Sequence, residues 1–268
     1  MPLQSDKARQ FAELHKSCFV IGNAWDAGSA RILAGLGYQA LATSSGAHAG
    51  TLGRRDGAVT REEALAHAKQ IVEATDLPVS ADLERCFADD AAGAAETIRL
   101  AAGVGLVGCS IEDAPKDRVY EFSHAVERVA ASVKVARSLP FPFTLTARAE
   151  NFVRGKPDLE DTIKRLQAFE KAGADVLMAP GLPDLESVRK VCAALSKPFN
   201  FMAGIKGKSF SVAELQAAGV RRISLATSLW RMAMSGAIEA AREVKEKGSF
   251  GFLDRSLATP DISKFMRE

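Results

Sequence analysis

"LPVSADLERCF", residues 77–87, starts as a short apolar, β-branched run and ends abruptly on two carboxylates, Asp82 and Glu84. A run of that length reads as a buried strand. A buried strand that finishes on acids belongs to a fold whose strand interiors pack while the strand ends carry chemistry.

The same kind of run recurs along the chain: "CFVIGN" (18–23), "QALATS" (39–44), "GLVGCSIE" (105–112), "FPFTLTAR" (141–148), "ADVLMAP" (174–180), "PFNFMAG" (198–204) and "RRISLAT" (221–227). With "PVSAD" (78–82) they make eight candidate strands. Between them lie segments with helical spacing, among them "TREEALAHAKQIVEAT" and "DLEDTIKRLQAFEKAG", and a long one runs from Thr227 to Lys247. Thr60 with Glu63 forms a capping-box pattern, and Gly37, Gly103, Gly173 and Gly219 stand where helices should stop. Strand and helix alternating eight times give a parallel sheet, and continuous rather than alternating apolar runs fit strands buried on both faces. Eight units in 268 residues favour a closed (β/α)₈ TIM barrel over an open doubly wound sheet. No GxGxxG follows the first strand, and no P-loop or Ser/Gly-rich linker occurs, so residues 1–268 are expected to form a single barrel domain with 248–268 as a C-terminal tail.

In such barrels functional groups gather at the C-terminal ends of the strands. Those ends carry Trp25 and Asp26, Ser45 and Gly46, Asp82 and Glu84, Glu112 and Asp113, and Arg148 and Glu150, while Asn200 lies within the seventh strand. Asp82 and Glu84, two apart on an extended chain, should face one side, with Glu112 beside them on the next strand. Three carboxylates at a partly buried rim repel one another unless a cation or protons neutralise them. Oxygen ligands without a His or Cys cluster point to Mg²⁺ or Mn²⁺. Arg148, one strand further on, is the natural bidentate partner for a substrate carboxylate.

Plainer roles stand beside these. Asp26 reads as the cap of the helix "AGSARILAG", and any single acid at a strand end could be a cap or a surface charge. His48 in "SSGAHAG" is either a general base at the mouth or a hydrogen-bonding loop residue. His15, His67 and His124 fall in helical segments and read as packing or surface residues. "GIKGKSFS" (204–211) is a solvated loop with two lysines or, by its place after strand seven, a phosphate-binding loop.

Composition excludes several classes. The chain is 47% hydrophobic and 25% charged, as a soluble globular protein would be, with 35 Lys plus Arg against 33 Asp plus Glu and a net charge of +2. That balance offers no electrostatic footprint for nucleic acid or a membrane surface. The N-terminus lacks a signal-like apolar region, no run is long enough to span a bilayer, and a cytoplasmic location is expected. Cys18, Cys86, Cys109 and Cys192 are far apart and read as reduced.

Six motifs carry a resemblance: "NAWDAGSARI", "ATSSGAHAGTLGRRDG", "PVSADLE", "SIEDA", "TARAEN" and "VAELQAAGVRRIS". The chain resembles the isocitrate lyase and phosphoenolpyruvate mutase superfamily, in its lyase/mutase-like branch of bacterial proteins. The resemblance implies a (β/α)₈ barrel, a Mg²⁺ ion and a small-molecule carboxylate substrate, a 2-oxo or 2-hydroxy acid. Carbon-carbon cleavage or decarboxylation through an enolate is the implied reaction. The alternatives are carbon-phosphorus chemistry on a phosphonopyruvate-like substrate and a barrel that binds metabolites without turnover. By position, Asp82, Glu84 and Glu112 match the metal-site acids, direct or through water, and Asp56 matches an acid near them. Ser45, Gly46 and Ala47 match the segment that holds the oxo-acid carboxylate, Arg148 the substrate arginine, Trp25 an aromatic wall and Asn200 a polar pocket residue. Glu112, Arg148 and His48 are the catalytic candidates. The superfamily also exchanges its last helix between subunits, which implies a homo-oligomer, a dimer or a dimer of dimers. The loop after strand four departs from the lyase pattern: "EDAPKDRVYEFSHAVERV" is short and has no cysteine, leaving Lys116, Asp117, Arg118 and Tyr120 in its place. A further departure is "RCFADD", which stands where the family has a glycine-rich turn.

Overall fold

A computed structural model describes residues 2–266 apart from 116 and 209. Among them, eight short strands close into a parallel barrel in sequential order. They are β1 (Phe19–Ala24), β2 (Leu41–Thr43), β3 (Val79–Asp82), β4 (Gly108–Glu112), β5 (Thr144–Arg148), β6 (Val176–Met178), β7 (Phe199–Met202) and β8 (Arg222–Ser224). The ring shuts where β8 pairs with β1, Arg222 opposite Phe19. Each strand read from the sequence is present, and the expected TIM barrel is the fold.

The outer helices begin where short polar side chains cap exposed N–H groups. Asp26 caps α2 (Ala27–Gly35), accepting from Ser29 N, as its reading as a cap requires. Thr60 and Glu63 form the reciprocal box at the start of α4 (Arg61–Ala74). One stop signal is displaced. Gly103 is the last residue of α5 (Ala91–Gly103), and Gly105, at φ 94°, takes the left-handed turn that L-residues avoid.

Two helices lie outside the segments read between the strands, the first marked only by the reading of His15 as helical. The first, α1 (Gln4–Leu14), closes the bottom of the barrel: Ala8 and Phe11 pack with Phe19, Ile21, Ala40 and Val107 into an apolar cluster of their own. The second, α3 (Ser45–Thr51), turns the glycine-rich "SSGAHAG" stretch into a short helix at the mouth. The remaining barrel helices are α6 (Phe122–Ser138), α7 (Leu159–Lys171), α8 (Leu185–Ala193) and α9 (Val212–Ala217).

The long C-terminal helix, α10 (Ser228–Lys247), buries no residue in the single chain. Trp230 at its start lies against Gly50 of α3, where a Cβ would come within 2.3 Å of the indole. The tail that follows, with α11 (Thr259–Ser263), returns Phe265 to Gly35 of α2. None of the helices described is long and apolar enough to cross a membrane.

Candidate active site

Strand register assembles the rim. Glu112 and Arg148 are opposite one another on β4 and β5, and Asp82 on β3 faces Ser110 on β4. Arg148 Nη1 lies 3.1 Å from Asp82 Oδ1 and 3.0 Å from Glu112 Oε1, while its Nε donates to Glu150 Oε1 at 2.9 Å. Arg154, on the turn Asn151–Arg154, places Nη2 3.3 Å from Glu112 Oε2. Asp82 also accepts from the Ser45 hydroxyl at 2.9 Å and from Ser110 Oγ at 3.2 Å. The sequence reading left the acids to be neutralised by a cation or protons, with Arg148 as the partner of a substrate carboxylate. In this structure Arg148 and Arg154 neutralise them, so Arg148 is not a free carboxylate clamp here.

Glu84 departs from expectation in its backbone. Strand β3 ends at Asp82, and Glu84 has φ 51°, so the alternation argument that put the two acids on one face of an extended chain does not hold beyond the strand. Cys86 and Phe87 are left-handed as well, at φ 60° and 54°, in the segment that replaces the glycine-rich turn. This costly backbone is held from below by Arg128, a buried side chain of α6 that donates to the carbonyls of Glu112, Arg85 and Ala88. Glu84 is nonetheless electrostatically part of the site. Burial, then Asp82 and Asp56, push its carboxyl up to about 7, and its Oε1 is a buried acceptor without a hydrogen-bond partner among the described residues. Burial likewise raises the Glu112 carboxyl well above the usual range, against the pull of Arg148.

Among the described residues no three His, Cys, Asp or Glu side chains close into a metal cage. The donor chemistry still fits a hard cation that keeps much of its water. Asp56, Glu84 and Glu112 line one cleft with Ser45 and Arg154, all three offer only oxygen, and Glu84 Oε1 is unsatisfied among the described residues. Mg²⁺ is commonly held through one or two carboxylates and several waters.

Beneath the rim a narrow cavity of about 60 Å³ runs into the barrel, from Asp82 and Arg148 past Ser80, Ser110 and Asn200 to Arg222. Asn200 is fully buried, donates to Ser224 Oγ and accepts from Arg222 Nε, so the pocket role expected of it has the right location. Of the Ser45–Ala47 segment, the Ser45 N–H faces Asp82 at 3.3 Å and the Ala47 N–H faces Ser44 Oγ at 3.4 Å, so neither is free for a carboxylate. Gly46 approaches Asp56 closely: a Cβ there would stand 3.1 Å from Oδ2. Trp25 does not line the cavity. It is half-buried at the end of β1, and its carbonyl receives His67 Nε2 at 2.8 Å.

His48 is neither on a loop nor at the open mouth. It is buried in α3, stacked on His67 with ring centroids 3.8 Å apart. Burial and the neighbouring His67 lower it to about 4, which keeps it neutral at physiological pH. His15 and His67 are buried packing residues, as read, and His124 is bonded at the surface to the Asp89 carbonyl.

The loop after β4 is tied down. Tyr120 is buried, its hydroxyl bonds to Asp89, its ring lies 4.6 Å below the Arg128 guanidinium, and burial lifts it to about 12. Asp113 accepts from Glu150 N at 2.8 Å and from Arg165 at 3.2 Å. Lys116 lies outside the described residues. In the loop 204–211, Lys208 donates to the Gly181 carbonyl at 2.6 Å, and Ser209 is outside the described residues.

The sequence reading passed over Arg128, Arg154 and Arg222. A charge inside an amphipathic helix or beside a second arginine carries no mark of its burial, and only "RRIS", a charge opening an apolar strand, was a visible clue.

A model of the phosphoenolpyruvate phosphomutase family matches residues 11–245. A crystal structure from Burkholderia cenocepacia, described as a lyase/mutase, superposes with a TM-score of 0.96 at 45% identity, over 99% of this chain and 97% of that one. Oxaloacetate decarboxylase 2 of Pseudomonas putida is 28% identical over 93% of this chain and 83% of its own. The 2-methylisocitrate lyase of Escherichia coli is 30% identical over 60% of this chain and 57% of its own.

Proposed function

The chain belongs to the phosphoenolpyruvate phosphomutase family of lyases and mutases, and on that premise we propose that it is a Mg²⁺- or Mn²⁺-dependent lyase. Its substrate is a small 2-oxo or 2-hydroxy acid, cleaved at a carbon-carbon bond or decarboxylated through an enolate. The observation that carries this reading is the acid set around Arg148, with a Glu84 oxygen unsatisfied among the described residues beside it, at the opening of the interior cavity.

Asp82, Glu84, Glu112 and Asp56 would hold the ion or its waters. Bound there, the ion would supply positive charge where the enolate oxygen develops its negative charge. The other roles belong to the chain. Ser45 fixes the Asp82 carboxylate through its hydroxyl, and Glu150 anchors the Arg148 guanidinium from behind. Asn200, Ser80 and Ser110 offer hydrogen bonds to the substrate within the cavity. The His48 ring, buried behind this shell with its pKa lowered to about 4, is a weak general base.

Resemblance to a phosphomutase family supports a second reading, carbon-phosphorus rearrangement or hydrolysis of a phosphonopyruvate-like substrate. A Mg²⁺-dependent screen over oxaloacetate, other 2-oxo diacids, 2-methylmalate-like acids and phosphonopyruvate decides between them. Turnover of a carboxylic acid that ceases on chelation supports the first reading, and turnover of phosphonopyruvate alone would replace it with the second.

A further inference from the structure

A groove of about 640 Å³ opens at the N-terminal end of the barrel, the end away from the rim. It lies where β7 and β8 begin, where α8 and α9 end, and where the chain leaves α1. Lys16, Arg189, Lys197 and Arg221 line it, brought in by four separate segments, and no carboxylate is among the described lining residues. Lys16 meets the exposed Glu13 at 2.7 Å. Arg189, Lys197 and Arg221 have no ion pair and no side-chain hydrogen bond among the described residues. Glu170, which reaches the turn before β7, gives its Oε1 to the N–H groups of Ser196 and Lys197 and to the Ser196 hydroxyl. In a chain with 35 basic and 33 acidic residues, such a separation of charge does not follow from composition.

Basic residues at this end of a barrel have a plainer use, tying down carbonyls near the helix C-termini. Arg137, in the last turn of α6, has it: the side chain donates to Phe143 O at 3.3 Å and Gly173 O at 2.9 Å and pairs with Asp175 at 2.6 Å. At the ends of α8 and α9 the backbone N–H groups of Ala194 and Ala218 meet the last carbonyls instead, and the groove cations take no part. The two helix dipoles favour these cations, but about half a charge at each C-terminus offsets only part of a fourfold positive cluster. Like charges gathered around one groove draw in a multivalent anion.

We propose that this groove is a binding site for a small organic phosphate, a metabolite with two or more phosphate charges on a less polar body, as in a nucleoside diphosphate. Guanidinium groups pair bidentately with phosphate oxygens, and the lysines add point charges. Ala193, Leu195 and Pro198 supply an apolar wall for the body of the ligand, and the volume lies in the range of small-molecule sites. His15 forms the inner boundary, with Nε2 3.3 Å from Arg222 Nη1, so the groove and the interior cavity share a wall. Burial and then Arg222 push His15 down to about 3, and its neutral ring adds no charge to the groove at ordinary pH. The site stands whatever reaction the rim performs.

Calorimetry in EDTA and about 0.15 M salt tests this with ADP, adenosine and pyrophosphate, so that no metal at the rim recruits phosphate. ADP should bind at one site per chain, and adenosine and pyrophosphate each at least tenfold more weakly. Replacing both exposed arginines, Arg189→Ser with Arg221→Ser, should weaken ADP at least tenfold and leave the melting temperature within a few degrees. Asp82→Ala, at the other end of the barrel, should leave ADP affinity unchanged. Pyrophosphate binding as tightly as ADP would overturn the organic-phosphate assignment in favour of a bare phosphate site. No ADP binding at millimolar concentration would overturn the site itself. So would ADP affinity that is indifferent to the double replacement, and a change in Asp82→Ala alone would move the nucleotide to the rim.

Discussion

Arg148 Nη1 lies 3.1 Å from Asp82 Oδ1, joining the end of β5 to the end of β3 across the mouth of the barrel. The same nitrogen reaches Glu112 at 3.0 Å, so one guanidinium holds together acids that would otherwise repel. Among the described residues, removing it leaves Asp82, Glu112 and Glu150 facing one another with Arg154 in compensation. Arg148→Met is therefore expected to lose about 3–5 kcal/mol of stability, the usual cost of stranding buried charge. Urea unfolding measures it, and a loss below about 1 kcal/mol would mean that the acids are neutralised by other means.

A pH dependence follows from His15, wedged edge-on against Phe11 and Phe19 below Arg222. Its folded-state pKa is near 3 against an ordinary 6.5, chiefly because burial disfavours the charged ring. The folded state therefore favours the neutral imidazole, and the stability this contributes is complete above pH 6.5. It is lost progressively as pH falls from 6.5 toward 3, reaching about 5 kcal/mol at the acid limit. His15→Gln cannot titrate, so the stability difference between unaltered and variant protein should shrink steadily on acidification. A difference that is constant between pH 7 and pH 4 would contradict the assignment.

The barrel itself was legible because strands buried on both faces leave unbroken apolar runs, and because Asp26, Thr60 and Glu63 announce helix starts in their side chains. The α1 helix was marked only at His15, since its packing face amounts to little more than Ala8 and Phe11 amid charged residues. Asp82, Glu112 and Arg148 were visible as polar residues closing apolar strands. Their mutual pairing was not, because it depends on register between strands far apart in sequence. Glu84 was found for a reason that fails: its backbone is left-handed and not extended, and it reaches the site through the Arg128-supported turn.

The loop after β4 supports a negative expectation. The cleavage of isocitrate or methylisocitrate needs a proton delivered to the departing fragment, and the superfamily's loop cysteine is absent. Tyr120, the remaining neutral donor considered there, is buried on Asp89 and Arg128 with its pKa pushed up to about 12. Loss of a general acid costs about 10²–10⁴ in rate, so both lyase activities should be negligible at saturating Mg²⁺. Steady-state assays giving kcat/KM of roughly 10⁴ M⁻¹s⁻¹ or more with either substrate would show that another acid serves.

Assembly is proposed from the C-terminal region. Helix α10 buries nothing in one chain, and Met232, Ile238, Leu253 and Leu257 are 51–72% exposed on it and its tail. A second copy covering this surface gives a homodimer or a dimer of dimers. Sedimentation velocity at micromolar concentration should find no major monomer, and Ile238→Glu should release one.

The central claim, that the rim acids form a divalent-metal site on which turnover depends, is tested most directly by Mg²⁺ calorimetry on the unaltered protein and on Asp82→Ala, with activity measured in parallel. The unaltered protein should bind one Mg²⁺ per chain. The variant should lose at least tenfold in affinity together with its activity, while its melting temperature shifts by only a few degrees, because a rim carboxylate adds little to core packing. An Asp82→Ala protein that binds Mg²⁺ and turns over substrate as the unaltered enzyme does would contradict the account.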